Sequence, residues 1–395
     1  DALTRRLEQL SCNVLPVFVY SLKPENVTQV EPLLRQAKVD LIVNTLSFAM
    51  GAESVEWLKR FDVPVLQAIV STSSHAQWHG SPAGLTPIDT AMNVALPEFD
   101  GAIITVPVSF KEQSARDDVL GTAVLRYAAD PERVDYFARL AANWARLRRV
   151  PNEEKRVAFV LSNYPTKNAR IGNAVGLDTP ASVVEVLKAM ADQGYQVGEL
   201  PAGGDELIQQ IIDRCSNDRD FLTEQQLAGA VGHVPARQYQ GWFDGFPAGV
   251  RRQLTTSWGK APGTVFRYQD SLAIPGILLG NVFVGVQPPR GFGENPIAIY
   301  HSPELAPTHH YLAFYRWIRD AFKAHAIVHV GKHGTLEWLP GKSLGLSPSC
   351  YPELAAADLP HFYPFIINNP GEGTQAKRRS HAAIIDHLIP VMTTA

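Results

Sequence analysis

The stretch AIVHVGKHGTLEWLPGK, residues Ala326–Lys342, joins a short apolar run to a loop rich in reactive side chains. Ala326–Val330 is compact and contains β-branched residues, which is typical of a buried strand in a parallel sheet. Ligands of open α/β sheets bind beyond the carboxyl ends of the strands. We therefore expect the loop after this strand, which carries Lys332 and Glu337, to face a ligand crevice.

The reactive side chains of this stretch are His329, His333 and Glu337, spaced four residues apart, with Lys332 and Lys342 beside them. Imidazole and carboxylate groups together suit a divalent metal such as cobalt, nickel or zinc, and a carboxylate can also accept protons. Taken singly, His329 alternates with valines as a core histidine would, and Glu337 can be an ordinary loop carboxylate. The presence of all three residues at the carboxyl end of one predicted strand favours a functional site.

Apolar runs alternate with helical patterns along the whole chain. This alternation predicts an α/β fold of two doubly wound, Rossmann-like lobes with parallel sheets. The first lobe covers residues 1–150 and ends in a long helix that begins at Pro131. Its four predicted strands are Asn13–Tyr20, Asp40–Leu46, Val63–Val70 and Gly101–Pro107. The short polar segment Pro151–Lys155 marks the boundary between the lobes.

The second lobe covers residues 151–395 and contains a helical insertion at about residues 203–259. Its predicted strands are Arg156–Leu161, Gln196–Leu200, a pair within 277–286, Ala326–Val330 and His361–Ile367. A final helix is expected from Pro370 to about Leu388. The bare N–H groups at the start of a helix can hold a carboxylate, so we expect this helix to begin at the crevice.

Composition excludes several classes of protein. The net charge is −3, with 36 basic and 39 acidic residues spread along the chain, which argues against a nucleic-acid partner. The three cysteines have no zinc or disulfide spacing, so a cytoplasmic location is expected. No apolar run is long enough to span a membrane. The sequence begins without a methionine, and we expect it to be an internal segment of a longer protein.

Two further segments are candidate sites. PGKS at Pro340–Ser343 is similar to the end of a phosphate-binding loop, but Leu336 occupies the position where that loop requires glycine. Nucleotide hydrolysis is therefore expected in a partner. The segment Ser71–Gly84 carries His75 and His79, four residues apart, which is compatible with a polar surface loop or with a metal-binding pair.

Five motifs in order resemble one family, the large subunit of aerobic cobaltochelatase (CobN), with the related H subunit of magnesium chelatase as the alternative. They are LSNYP at 161–165, NAVGLDTPAS at 173–182, PTHHYLAFY at 307–315, GKHGTLEWLPGK at 331–342 and YPFIINNPGEGTQAKRR at 363–379. Magnesium subunits usually carry Thr before the loop histidine and Phe after its Glu, whereas this chain has Lys332 and Trp338. Thr335 departs from the Asn usual in the cobalt family.

The resemblance implies ATP-dependent insertion of Co²⁺ into hydrogenobyrinic acid a,c-diamide during cobalamin biosynthesis. ATP would be hydrolysed by AAA+ and accessory chelatase subunits (CobS/CobT-like or ChlI/ChlD-like) and not bound by this chain. One alternative is insertion of Mg²⁺ into protoporphyrin IX by the H subunit of a magnesium chelatase. The other is a two-lobed module that binds a tetrapyrrole without chemistry.

The resemblance also implies roles for individual residues. Glu337 would accept protons together with His333, and the metal would be handled by His329, His333 and Glu337. The acidic arms of the substrate would be held at the start of the last helix. The residues expected to contact the substrate are His75, Lys332, Gly371, Glu372, Gly373, Thr374, Lys377 and Arg378.

Overall fold

A computed structural model of the chain describes residues 1–21, 23–48, 51–163, 167–174, 176–292, 299, 302–331, 334–366 and 370–387. The chain divides into two compact units. Unit 1 contains Asp1–Arg149, Lys342–Ser347 and Lys377–His381, and unit 2 contains Val150–Gly341, Pro348–Ala376 and Ala382–Ala395. The sequence predicts one boundary near residue 150, whereas two short later segments also belong to unit 1.

Unit 1 is built on a four-stranded sheet. Its strands are β1 (Ile42–Asn44), β2 (Val65–Val70), β3 (Ile103–Asp117) and β4 (Thr122–Ala129), in the spatial order β1-β2-β3-β4. The first three strands are parallel, and β4 pairs antiparallel with β3. The predicted α/β class is confirmed. Among the described residues, the spatial order of these four strands follows their order along the chain.

Two predictions for unit 1 were wrong. Residues 13–20 form no strand, and Phe18 and Tyr20 are 81% and 85% exposed. An apolar run becomes a strand only when a neighbouring strand supplies hydrogen bonds, and no strand in the described part of the sheet pairs with this one. The segment around His75 is a helix, His75–Gly80, because Ser74 and Gln77 form a capping box at its start.

The helices of unit 1 surround this sheet. The longest, Pro131–Arg149, begins where the sequence predicts, and the Asp130 carboxylate accepts a hydrogen bond from the backbone N–H of Arg133 at 2.8 Å. The others are Ala2–Gln9, Pro24–Val27, Glu31–Ala37, Ala52–Lys59, Pro87–Thr90 and Leu96–Phe99, with a π-helical turn at Ala91–Ala95. No helix within the described ranges is long and apolar enough to cross a membrane.

Unit 2 contains a six-stranded sheet and a small three-stranded one. Its strands are β5 (Val157–Leu161), β6 (Gly232–Pro235), β7 (Arg267–Tyr268), β8 (Ser271–Ile274), β9 (Ile277–Leu279), β10 (Val282–Val286), β11 (Ala326–Val330), β12 (His361–Ile366) and β13 (Ala383–His387). The large sheet has the order β13-β12-β11-β5-β10-β9, and only β9 runs antiparallel to its described neighbour. Counted along the chain, the parallel strands follow the doubly wound order 2-1-3-4-5. Ligands of this arrangement bind where the order reverses, between β5 and β11.

Strand β5 lies at the centre of the large sheet. Alternate residues of a strand face opposite sides of its sheet, and both sides of β5 are covered. Val157, Phe159 and Leu161 pack into an apolar cluster that includes residues of the helices Thr179–Asp192 and Gly204–Arg214. Ala158 and Val160 pack into a second cluster that contains the helix His309–Arg316.

The predicted helical insertion contains the helices Gly204–Arg214, Glu224–Ala228, Ala236–Asp244 and Ala248–Trp258, and also the strand β6, which pairs with β8. Two other predictions for unit 2 were wrong. Residues 196–200 form no strand. The helix that starts at Pro370 ends at Arg379, and β13 follows it as a parallel neighbour of β12. Ile384 and Ile385 belong to β13 and pair with β12, whereas the sequence analysis had included them in the helix.

Gly331 directly follows β11, and its conformation excludes other residues. Its φ is +116°, and a Cβ at this position would lie 2.2 Å from Ser162 Oγ. Replacing Gly331 by Ala is therefore expected to destabilise unit 2 by about 2–4 kcal/mol, since backbone strain and overpacking add. Urea unfolding measures the change. Gly249→Ala is the control, because Gly249 lies in a helix with no atom near its missing Cβ, and it should be neutral or mildly stabilising.

Candidate functional site

Three strands of unit 2 end side by side at the point where the strand order reverses. Val286 and Val330 both pair with Leu161, so the residues that follow these strands lie along one edge of the sheet. The backbone N–H of Gln287 donates to the carbonyl oxygen of Leu161 at 2.9 Å. The side chains just beyond this edge are therefore placed by the sheet itself.

His329 lies near the carboxyl end of β11 but points into the interior, with 4% of its surface exposed. Its Nε2 is 2.8 Å from the hydroxyl of Tyr315, and its Nδ1 is 2.6 Å from Nε2 of His361. Binding of a metal by either ring nitrogen would require one of these hydrogen bonds to break. These hydrogen bonds give His329 the surroundings of a positioning residue, and its expected role as a metal ligand stays a prediction.

A buried chain of hydrogen bonds extends from His329 towards the loop after β11. The side-chain amide of Gln287 donates to the hydroxyl of Tyr315 at 2.8 Å. Its carbonyl oxygen accepts from the backbone N–H of Thr335 at 2.8 Å and from the hydroxyl of Thr335 at 3.0 Å. The hydroxyl of Tyr311 is 2.9 Å from that of Thr335. Gln287 therefore joins the end of β10 to the start of the turn that carries Glu337.

Burial keeps these groups neutral. Desolvation lowers the pKa of His329 well below its usual value of 6.5, and the neighbouring His361 lowers it further. Desolvation also raises the pKa values of Tyr311 and Tyr315, and the charge of Glu337 raises both further. A Cβ on Gly334 would lie 3.3 Å from Nε2 of Gln287 and 3.5 Å from Oε2 of Glu337, so the carboxylate lies near the Gln287 end of this hydrogen-bond chain.

Glu337 lies on the short 3₁₀ turn Leu336–Trp338 and is only 2% exposed. A Cβ on Gly334 would lie 3.5 Å from Glu337 Oε2, so the carboxylate approaches the backbone at the start of this loop. The buried guanidinium of Arg290 donates to the carbonyl oxygen of Trp338 at 3.1 Å. The turn is therefore fixed at its far end as well, and Glu337 has a defined position.

Two residues expected at this site, Lys332 and His333, lie outside the described residues, and their roles stay predictions. Within the residues that the structure describes, no three or more His, Cys, Asp or Glu side chains are grouped so that they could hold a metal ion. His329 is hydrogen-bonded to Tyr315, which is hydrogen-bonded to Gln287. Gln287 and the carboxylate of Glu337 both lie close to Gly334, so the structure places His329 and Glu337 at opposite ends of one chain of polar side chains.

The start of the helix Pro370–Arg379 also carries expected substrate contacts. Gly371 is exposed, whereas Glu372 and Gly373 are buried. The hydroxyl of Thr374 donates to the carbonyl oxygen of Pro370 at 2.8 Å, so it is already used within the helix. Binding of a substrate carboxylate by these four residues stays a prediction.

The two basic residues expected to anchor substrate, Lys377 and Arg378, belong to unit 1. The guanidinium of Arg378 makes a two-pronged ion pair with Glu98, with its Nε 3.0 Å from Oε1 and its second nitrogen 2.7 Å from Oε2. This carboxylate satisfies the charge of Arg378, so the structure favours a structural role for it. Lys377 is half-buried.

His75, the remaining expected contact, begins the helix His75–Gly80 of unit 1. Its Nε2 lies 3.3 Å from a carboxylate oxygen of Asp130, and its ring stacks on that of His79 at a centroid distance of 5.7 Å. The helix aligns the two histidines, which the sequence had placed in a loop. Substrate binding by His75 stays a prediction.

Lys342, which follows the apparent phosphate-loop glycine, closes the end of that helix. Its ammonium donates to the carbonyl oxygens of Trp78 at 2.7 Å, His79 at 2.9 Å and Ser81 at 2.7 Å.

We expect Lys342→Met to destabilise unit 1 by about 2–4 kcal/mol, because three carbonyls lose a charged donor. Thermal or urea unfolding tests this. Lys188→Met, which removes only a surface ion pair with Glu185, should change stability by less than about 0.5 kcal/mol.

Several residues of the polar cluster were not identified from the sequence as functional. Tyr315 is buried on the helix His309–Arg316, and the sequence assigned it no role beyond its place in the motif at 307–315. Nothing in the sequence indicated a functional role for Gln287 or His361 beyond their positions at the ends of predicted strands. The hydroxyl of Tyr363 accepts from the backbone N–H of Gly334 at 2.9 Å, a contact between residues 29 positions apart. The motifs at 307–315 and 363–379 were the available pointers to Tyr315 and Tyr363.

Comparison with known proteins bears on these features. The profile of the family described as CobN/Magnesium Chelatase matches residues 1–395. The aerobic cobaltochelatase subunit CobN of Pseudomonas aeruginosa is 47% identical over 99% of this chain and 31% of its own length. The H subunit of the magnesium chelatase of Chlorobaculum parvum is 32% identical over 100% of this chain and 30% of its own length.

A solved structure agrees with the fold. The catalytic subunit of cobaltochelatase from Mycobacterium tuberculosis matches with a TM-score of 0.84 and 45% identity, over 98% of this chain and 33% of that one. The chain thus spans about a third of the length of each of these three proteins.

Proposed function

The chain belongs to the CobN/magnesium chelatase family, and we propose that it is the part of a cobaltochelatase large subunit that holds the macrocycle during cobalt insertion. The macrocycle would be hydrogenobyrinic acid a,c-diamide. The observation that carries this proposal is the placement of Glu337 on a fixed turn at the reversal point of the large sheet. The acidic residue there can receive protons from a ligand bound at that edge.

Metal insertion requires a base. The corrin-type macrocycle loses its one inner N–H proton as its four nitrogens bind the Co²⁺ ion, which sheds water. We assign Glu337 as the acceptor of this proton, and His333 as the group that assists it and handles the metal. A carboxylate that is only 2% exposed is weakly solvated, which strengthens its interaction with an approaching cation or acidic N–H.

The described residues around Glu337 support this assignment by holding its turn still. Gly334 is bonded to Tyr363, Thr335 to Gln287 and Trp338 to Arg290. His329 is hydrogen-bonded to Tyr315, and His361 is hydrogen-bonded to the other ring nitrogen of His329. Fixed geometry of this kind contributes to catalysis because the base need not be reoriented when the substrate binds. His329 acts here as a positioning residue.

Cobalt is favoured over magnesium on two grounds. The identity to the cobaltochelatase subunit is 47%, against 32% for the magnesium subunit. The loop also carries Lys332 and Trp338, where magnesium subunits usually have Thr and Phe. Insertion of Mg²⁺ into protoporphyrin IX is the second candidate, because the family includes both activities.

We place ATP hydrolysis in partner subunits of the AAA+ type, since Leu336 stands where a phosphate-binding loop needs glycine. These partners would drive the insertion cycle through contacts with the large subunit. A cytoplasmic location stays a prediction.

The test is a binding titration of the protein, followed by absorbance, with hydrogenobyrinic acid a,c-diamide and separately with protoporphyrin IX. We expect the first to bind at least tenfold more tightly. Tighter binding of protoporphyrin IX would favour the magnesium candidate. Absence of binding by either macrocycle would contradict the proposal in both forms.

A further inference from the structure

A cavity of about 470 Å³ in unit 1 is lined by five basic side chains. They are Arg35, Lys38, Arg60, Arg148 and Arg149, and we call this cavity the basic pocket. The whole chain carries a net charge of −3, so this is a marked local concentration of positive charge. Separate segments of the chain contribute to it, which means that the fold and not a run of sequence assembles it.

Carboxylates only partly balance this charge. Arg35 and Arg60 share Glu31, at 2.8 Å and 3.3 Å. Among the described residues that line the basic pocket, Asp40 is the acidic one, and it lies 2.7 Å from Arg149 and 3.9 Å from Arg148. Two carboxylates against five cations leave an excess of three positive charges.

Helix dipoles account for part of this excess. Arg35 lies in the last turn of the helix Glu31–Ala37, Arg148 and Arg149 lie in the last turn of Pro131–Arg149, and Arg60 caps Ala52–Lys59. Each helix end carries roughly half a negative charge. Three such ends do not cancel three full charges. The basic pocket therefore stays positive after its built-in partners are counted.

The shape and lining of the basic pocket indicate a small ligand. Its volume is in the range of about 300–1,000 Å³ that is usual for small-molecule sites. Leu34, Val39 and Phe61 give it an apolar portion, and the guanidinium of Arg35 lies 5.6 Å from the ring centre of Phe61. Planar guanidinium groups match the paired oxygens of phosphate and carboxylate groups.

We propose that the basic pocket binds a small polyanion that carries two or more phosphate or carboxylate groups. A singly charged anion would neutralise too little of the excess to compete with chloride. The proposal does not depend on the proposed chelatase function.

The experiment is isothermal titration of the full-length protein at low salt with pyrophosphate, with tricarballylate and with acetate. We expect the first or the second to bind at least tenfold more tightly than acetate, and the stronger of the two identifies the ligand as phosphate or carboxylate. The double variant Arg148→Gln, Arg149→Gln should weaken this binding at least tenfold. Its ion pairs are exposed, so the fold should persist, and circular dichroism checks this.

The control is Arg146→Gln, which removes a charge from the same helix at an exposed position that does not line the basic pocket. This variant should bind within about twofold of the parent. The proposal is overturned if neither polyanion binds more tightly than acetate, or if Arg146→Gln weakens binding as much as a single change at Arg148 or Arg149. The latter result would mean general attraction to a positive surface.

Discussion

Replacing Glu337 by Gln is expected to slow metal insertion by a factor of about 10² to 10⁴, while the affinity for the metal-free macrocycle stays within about twofold of the parent. Glutamine keeps the shape of the side chain but cannot accept the proton. Proton removal from the macrocycle develops only along the reaction path, so the loss should appear in the rate and not in ground-state binding.

The anchors of the turn explain why this substitution can separate catalysis from structure. The contacts of Gly334, Thr335 and Trp338 are made by the backbone or by the threonine hydroxyl. They do not depend on the charge of Glu337. The variant should therefore keep the turn in place.

The measurement compares insertion rates at saturating macrocycle, using the full-length subunit with its ATPase partners, with direct titration of the metal-free macrocycle. Glu304→Gln, an exposed carboxylate of the same unit, serves as the control and should leave both quantities unchanged. If Glu337 only braces its loop, the Gln variant should instead lose thermal stability and macrocycle affinity together, by about 1–3 kcal/mol. Insertion at the parental rate would remove Glu337 from the mechanism.

The strand on which the site depends could be predicted because its signal is local. Ala326–Val330 is bounded by a charged helix and by Gly331, and the observed β11 has the predicted bounds. The turn after it could be recognised by its dense reactive side chains. The position of Glu337 at the sheet edge follows from these two local facts together with the general placement of ligands in α/β sheets.

The partners that fix the site could not be predicted, because they are distant in the sequence. Gln287 and Thr335 are 48 residues apart, and His329 and His361 are 32 apart. A hydrogen bond of this range depends on which strands become neighbours. The strand predicted at residues 13–20 is absent for the same reason. A run of apolar and β-branched residues indicates that a segment can form a strand, but not whether a partner strand lies beside it.

The buried histidines make the protein sensitive to acid. Desolvation lowers the pKa values of His310 and His381 from 6.5 to about 4. Each donates one ring N–H to a carbonyl oxygen, His310 to Ala273 at 2.7 Å and His381 to Ile104 at 3.0 Å. Each is therefore held neutral with its proton position fixed. We expect stability to fall as the pH is lowered from about 6.5 to about 4.

The sign follows from proton counting. The unfolded chain protonates these histidines below about pH 6.5, whereas the folded chain does so only near pH 4, so acid favours the unfolded state across that window. Each histidine should contribute a loss of about 3 kcal/mol by pH 4 and no further loss below it. Urea unfolding between pH 8 and pH 4.5 measures the slope.

Two variants make this test specific. His310→Gln can still donate an N–H but cannot take up a proton. The number of protons taken up on unfolding of unit 2, given by the slope of its free energy of unfolding against pH, should therefore fall by close to one. His233→Gln, at a half-buried histidine of the same unit, is the control for replacing an imidazole by an amide. A parental slope in the His310 variant would mean that other groups cause the acid sensitivity. Carboxylates in ion pairs, such as Glu98 beside Arg378, would then be the groups to replace next.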